Sequence, residues 1–151
     1  MTARQKRNAI IWPIVGGIPL LIILSFIMIS VIKANSHKKM VERALNTYNV
    51  KYSSSEPLME FVRKSEEETE ANGNYMDGYI YINGEKKDFR CAFAKRHPGH
   101  SRIWFENVYS GERIFEAYYT LKGNTLTLTP YFSDYVVGEY KTITLTMTHL
   151  D

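Results

Sequence analysis

A chain of 151 residues with a formal charge of +3 and one cysteine excludes two things at the outset. A lone cysteine cannot form an internal disulfide, so the fold owes nothing to an oxidising compartment. The charge excludes a nucleic-acid binder once it is divided: three bases lie in residues 1–8, five in 33–52 against Glu42, and residues 53–151 hold eleven bases against fifteen acids, without a basic stripe or a recognised binding motif.

Residues 1–8 form a short tail carrying Arg4, Lys6 and Arg7, and residues 9–32 follow without a single charge. At about 1.5 Å per helical residue this run crosses a hydrocarbon core of roughly 30 Å with length to spare. It is longer than the apolar stretch of a cleaved secretory signal, the small-residue site at Ala34 is preceded by Ile32 and Lys33, and no cysteine follows it closely. The expectation is an uncleaved signal anchor and a single-pass protein of the cell membrane. Bases flank the run on both sides, Lys33, Lys38, Lys39 and Arg43 on the far side, so the positive-inside rule nearly cancels. A short tail before a larger domain favours an inside N-terminus and an extracytoplasmic C-terminal domain. Trp12 suits an interfacial position, and Pro13, Gly16, Gly17 and Pro19 make the first half of the span irregular.

Residues 33–52 read as an amphipathic membrane-proximal helix or stalk. Met40, Val41, Ala44, Leu45 and Tyr48 recur at helical spacing, with Lys38, Lys39, Glu42 and Arg43 opposite and Asn35 or Ser36 as the cap. Ser53, Ser54 and Ser55 form a polar break. Glu56-Pro57 then suits the first turn of a second, short helix with Leu58, Met59, Phe61 and Val62 on its apolar side. That helix dissolves into the solvated acids Glu66, Glu67, Glu68 and Glu70. A calcium loop beginning at Glu70 is excluded, because its sixth position is Tyr75 where glycine is required.

From Gly78 the period changes to two. Tyr79 to Ile82 leads into Asn83-Gly84, a strong hairpin signal. Phe89, Cys91 and Phe93 share a strand face; Ile103 and Phe105 follow the Pro98-Gly99 turn; Phe115, Ala117, Tyr119 and Leu121 follow Ser110-Gly111. Gly123-Asn124 reverses the chain into Leu126 and Leu128, and Ile143, Leu145 and Met147 alternate with threonines in the last strand. The fold class is therefore one transmembrane helix plus an α+β or mainly-β domain over 53–151. Its sheet is an antiparallel meander of about six strands, either an open curled sheet or a small barrel.

The stretch Tyr118-Tyr119-Thr120-Leu121-Lys122-Gly123-Asn124-Thr125-Leu126-Thr127-Leu128-Thr129 resembles the hairpin repeated in small bacterial lipocalin-like domains, which often follow an N-terminal anchor or signal. The resemblance covers twelve residues and implies a binding or accessory module more than an enzyme. The Gly-x-Trp opening of lipocalins is missing. A looser likeness of layout, anchor then helix then β-domain, is to the cytochrome oxidase assembly factors.

Chemistry-bearing residues are few. His97 and His100 flank Pro98-Gly99, with Cys91 or Glu106 as a conceivable third metal ligand, but zinc takes three or four ligands and this spacing matches no established site. The expectation is an exposed basic loop of Lys95, Arg96, His97, His100 and Arg102, suited to acidic partners or lipid head groups. Cys91 alternates with Phe89 and Phe93, which places it in the core as a small hydrophobe. No nucleophile elbow, phosphate loop or HExxH helix is present, so no catalytic residue, metal or cofactor is expected. Tyr131, Phe132 and Tyr135 crowd one segment and are the candidate contact for a partner or ligand. The leading expectation is a non-enzymatic, bilayer-anchored accessory protein whose β-domain binds or scaffolds an envelope protein. The alternatives are a lipocalin-like carrier or sensor of a small apolar ligand, which needs an open interior, and an assembly factor for a membrane complex.

Overall fold

The computed structural model describes residues 17–94, 101–133 and 142–151. The chain divides into two units, Met1–Lys39 and Met40–Asp151. Helix α1, Ile18–Asn46, begins in the first and ends in the second. Its leading stretch is built from leucine, isoleucine, phenylalanine and methionine, and these side chains stand at least half exposed or nearly so, as at Phe26 and Met28, each 67 % exposed. Exposure of that kind inverts the usual sorting of apolar groups, and α1 is long and apolar enough to cross a membrane. The two hydroxyls in this stretch turn inward onto the helix itself: Ser25 and Ser30 each donate a 2.8 Å hydrogen bond to the carbonyl four residues earlier. The helix runs through Asn35 and Ser36 without a break, so neither caps a separate amphipathic helix, and it stops at Asn46 rather than continuing to residue 52. Asn49, in the left-handed region at φ 52°, redirects the chain into the sheet.

In the second unit eight strands follow. They are β1 Val50–Ser55, β2 Leu58–Arg63, β3 Met76–Ile82, β4 Glu85–Phe93, β5 Arg102–Asn107, β6 Arg113–Lys122, β7 Thr125–Ser133 and β8 Ile143–His149. Each pairs antiparallel with the next, and β1 pairs with β8 from Val50↔His149 to Ser53↔Thr146, which closes the sheet into a barrel. Closure leaves no edge strand to be capped. The six strands read from alternation are β3 to β8. The other two replace the expected polar break and second helix: Ser53, Ser54 and Ser55 lie in β1, and Leu58 onward is β2, reached through a cis Glu56-Pro57 turn. Four apolar residues in a run of five fit helical and strand periods alike, and only pairing with β1 and β3 selects the strand. A short helix α2, Glu66–Ala71, does form one turn later, capped by Ser65, whose hydroxyl accepts from the Glu68 backbone N–H.

Turn chemistry sets the registers. Asn83 and Gly84 both take positive φ, 51° and 80°, as a two-residue type I′ hairpin requires. Asn107 caps the β5–β6 connection by accepting from the backbone of Tyr109 at 2.8 Å and Ser110 at 3.1 Å. Gly78 faces Phe61 across β2 and β3, and a Cβ there would lie 2.2 Å from the Glu60 carbonyl oxygen and 2.5 Å from the Phe61 Cβ. A glycine is what lets these strands approach.

The core is the barrel interior. Tyr52, Met59, Phe61, Met76, Ile80, Phe89, Ile103, Phe105, Phe115, Tyr119, Leu126 and Leu128 are each under 2 % exposed. Phe105 is the hub, stacked on Phe115 at 4.0 Å between centroids and edge-on to Phe89 at 5.0 Å and Phe61 at 6.0 Å. The end of α1 joins this core: Ala44 is fully buried, Met40 and Leu45 pack on the cluster, and Arg43 donates to the Gly123 carbonyl at 2.9 Å. This end of the barrel therefore receives the helix, together with the end of β2 and the β6–β7 turn.

Candidate functional site

Two constellations stand out, one on the outer wall and one inside. On the outer wall, alternation along β4 to β7 brings polar and aromatic side chains side by side. Arg90 pairs with Glu106 at 3.3 Å and lies 4.6 Å from the Tyr75 ring centroid. Arg113 reaches both Glu106, at 3.9 Å, and Glu116, and Glu116 also accepts from the Tyr131 hydroxyl. Tyr131 stacks on Tyr118 at 4.4 Å, and the Arg102 guanidinium sits 5.9 Å and 5.6 Å from those two ring centroids. The Tyr131 phenol is pushed up to about 12, by desolvation first and then by the Glu116 carboxylate it bonds. The register shift between Glu116 and Ala117 is what admits Tyr131 to this row, as the extra residue of β7 between Pro130 and Phe132.

Inside the barrel the inward row of β2 reads Met59, Phe61, Arg63. Arg63 is thus an arginine on an apolar phase, only 2 % exposed. It donates to the Leu45 carbonyl at 2.6 Å, and its guanidinium lies 4.8 Å from the Tyr48 ring centroid and 5.9 Å from that of Phe93. Leu45 belongs to the last turn of α1, where unpaired carbonyls and the negative end of the helix dipole gather, so part of the cation's lost hydration is replaced. No carboxylate pairs with it among the described residues. Around Phe93 stand Tyr52, at 6.3 Å between centroids, and Tyr119, at 4.8 Å. The hydroxyls of both, and the Arg63 Nε, are buried without a hydrogen-bond partner among the described residues. Burial raises the Tyr52 phenol to about 12 and pushes Tyr119 up as well, against the opposing pull of Arg63.

The opposite end of the barrel carries a recess of about 80 Å³ lined by Ile82, Lys87, Asn107, Glu112, Arg113 and Ile114. Sites for small organic ligands run to roughly 300–1,000 Å³, so this recess is too small for one.

Of the residues singled out in the sequence, the structure brings Tyr131 and Arg102 together on the outer wall. Phe132 lies in β7 opposite Glu116. Arg96, His97, His100 and Tyr135 lie outside the described residues. Cys91 is buried in the interior, its thiol pushed well above the usual range by burial, while Glu106, its cross-strand neighbour's successor, faces outward in ion pairs. The two conceivable third metal ligands are therefore on opposite faces of the sheet, and among the described residues no three His, Cys, Asp or Glu side chains converge. Arg63 and Tyr52 carry no strong site signal in the sequence because β1 and β2 are not legible as strands there, and Tyr119 in β6 reads as one more alternating aromatic. The available signal was the spacing of Met59, Phe61 and Arg63, which puts a charge on an otherwise apolar alternation. Compared with known proteins, the chain matches no protein-family model, no curated protein and no solved structure.

Proposed function

We propose that this is a single-pass, membrane-anchored accessory protein whose barrel binds or scaffolds a membrane or envelope protein partner, without catalysis. One observation carries the choice between a partner-binding module and a carrier: six aromatic side chains, Tyr52, Phe61, Phe89, Phe105, Phe115 and Tyr119, fill the interior with less than 2 % exposure each. A carrier of apolar molecules uses that same volume for its cargo. With the interior filled by the chain itself, the outer wall is where a partner can be met. The row formed by Tyr131, Tyr118 and Arg102 supplies the aromatic and arginine groups that dominate protein contacts. The exposed apolar stretch of α1 supports the membrane anchor, and an inside N-terminus with an extracytoplasmic barrel completes the reading.

Native mass spectrometry of the full chain, released gently from its own membrane, tests it. The expected result is a barrel free of small apolar molecules that arrives with another membrane protein, and whose complex is weakened by Tyr131→Ala and Arg102→Ala together. An apolar ligand retained at one per chain overturns it in favour of a carrier. Orientation is tested separately by Lys122→Cys in the exposed β6–β7 turn: labelling by an impermeant thiol reagent in intact cells is expected, and protection overturns the extracytoplasmic assignment.

A further inference from the structure

We infer that the helix-receiving end of the barrel holds an internal site for a small monovalent anion of halide size, built from Arg63, Tyr52 and Tyr119. This does not rest on the membrane or partner reading, since every residue concerned lies in the second unit.

The three groups share a property that a filled apolar core has no use for. All are hydrogen-bond donors, all three are inside the barrel at 2 % exposure or less, and each has a donor atom with no acceptor among the described residues. They gather round one ring: Arg63, Tyr52 and Tyr119 lie 5.9, 6.3 and 4.8 Å from the Phe93 centroid. A buried guanidinium keeps its proton, so the cluster carries a full positive charge. Its compensation consists of the Leu45 carbonyl, the helix dipole behind it and the face of Tyr48. These offset part of the cost of desolvating the cation and leave the Nε–H without a partner among the described residues.

What such a cluster lacks is an acceptor bearing negative charge. Phenols and Nε–H donate well to an anion, and an anion in a low-dielectric interior beside a cation is held far more strongly than in water. The surrounding core, Phe61, Phe93, Met76 and Cys91 among it, is apolar and supplies no negatively charged acceptor. A long-chain carboxylate needs the volume these aromatics occupy, and a divalent anion leaves a net negative charge buried. A monovalent ion of halide size matches the single charge and asks the least space of a packed interior. The site also joins α1 to the sheet, because Arg63 is the residue that bonds the last turn of the helix.

The test uses the purified full chain in detergent, in a chloride-free buffer at constant ionic strength, with thermal unfolding followed by circular dichroism as bromide is added. A site occupied only in the folded state gives a Tm that climbs with the logarithm of the bromide concentration once this exceeds Kd. The expected result is such a rise with bromide and chloride and none with sulfate. Tyr119→Phe keeps the charge and the ring while removing one donor, and it is expected to raise by about tenfold the bromide concentration at which Tm begins to climb, the worth of one hydrogen bond to a charged group. Arg63→Met is expected to abolish the response. A Tm that does not depend on halide, as water bridging the three groups gives, overturns the proposal. So does a response that sulfate reproduces or that Tyr119→Phe leaves unchanged. Should Arg63→Met not fold, Tyr52→Phe serves with Tyr119→Phe, and bromide anomalous scattering in crystals must place the ion between Arg63 and the two phenols.

Discussion

Phe105→Ala is the sharpest probe of a filled interior. Phe105 has no exposed surface and meets Phe115, Phe89 and Phe61 at 4.0, 5.0 and 6.0 Å between centroids. Truncation removes the transfer free energy of the ring and leaves a cavity that three rigid aromatics on different strands cannot collapse into, a loss of about 3–5 kcal/mol. The second unit, Met40–Asp151, has about 110 residues, and at roughly 2.1 cal/mol/K of unfolding entropy per residue that loss lowers Tm by about 13–22 °C. The measurement is thermal and urea unfolding of the full chain in detergent, following the β-sheet signal, with Phe105→Leu beside it as the smaller change. Phe105→Leu is expected to lose less than half as much. A loss below about 1 kcal/mol for Phe105→Ala, with an unchanged urea dependence, refutes the reasoning: it means slack in the interior, and with it the carrier reading returns.

Three further outcomes follow from other parts of the fold. Gly78→Ala drives a Cβ to 2.2 Å from the Glu60 carbonyl oxygen, backbone that cannot swing aside, so a destabilisation of about 3 kcal/mol or more is expected from urea unfolding. The Tyr52 phenol is raised from 10.0 to about 12 in the folded protein, so its contribution is fully present below pH 10 and is lost as pH climbs from 10 through 12. Stability measured across that window is expected to fall by on the order of 2–3 kcal/mol on account of this group, and Tyr52→Phe to flatten the fall, with Tyr119 and Cys91 still contributing in the same direction. Cys91 is wholly buried, so an aromatic disulfide reagent is expected to label it only at the rate at which the barrel opens, and rapid labelling of the folded chain contradicts its placement.

The outer wall was partly legible in the sequence. Tyr131 and Arg102 were both marked as contact candidates, one for its aromatic neighbourhood and one for its basic loop, but nothing in either signal places them together. Twenty-eight positions separate them, and it takes the β5–β6–β7 pairing and the bulge at Glu116 to bring the Arg102 guanidinium over the Tyr131 ring. The internal cluster leaves one trace in the sequence, the charge that Arg63 puts on the apolar spacing of Met59 and Phe61. Tyr52 and Arg63 lie in the two strands whose short runs fit helix and strand equally well, and Tyr119 reads as one more alternating aromatic.

What the residues determine locally is whatever a short window can carry. An uncharged run longer than a bilayer needs makes an apolar helix in any context, and alternation such as that of Ile143, Leu145 and Met147 with threonines makes strands, with Asn83-Gly84 and Gly123-Asn124 as hairpin reversals. Strand count, closure and the interior were decided by tertiary structure alone. Ser53 and Ser54 have no strand tendency strong enough to announce β1, yet β1 pairs with β2 on one side and β8 on the other, some ninety residues away, and that long-range pairing turns a curled sheet into a barrel. Once it closes, the inward phase of every strand becomes one enclosed space. An arginine at the end of β2 then sits among phenols and phenyl rings with the end of a helix for its partner, because pairing with β1 and β3 turns the phase of Met59, Phe61 and Arg63 inward.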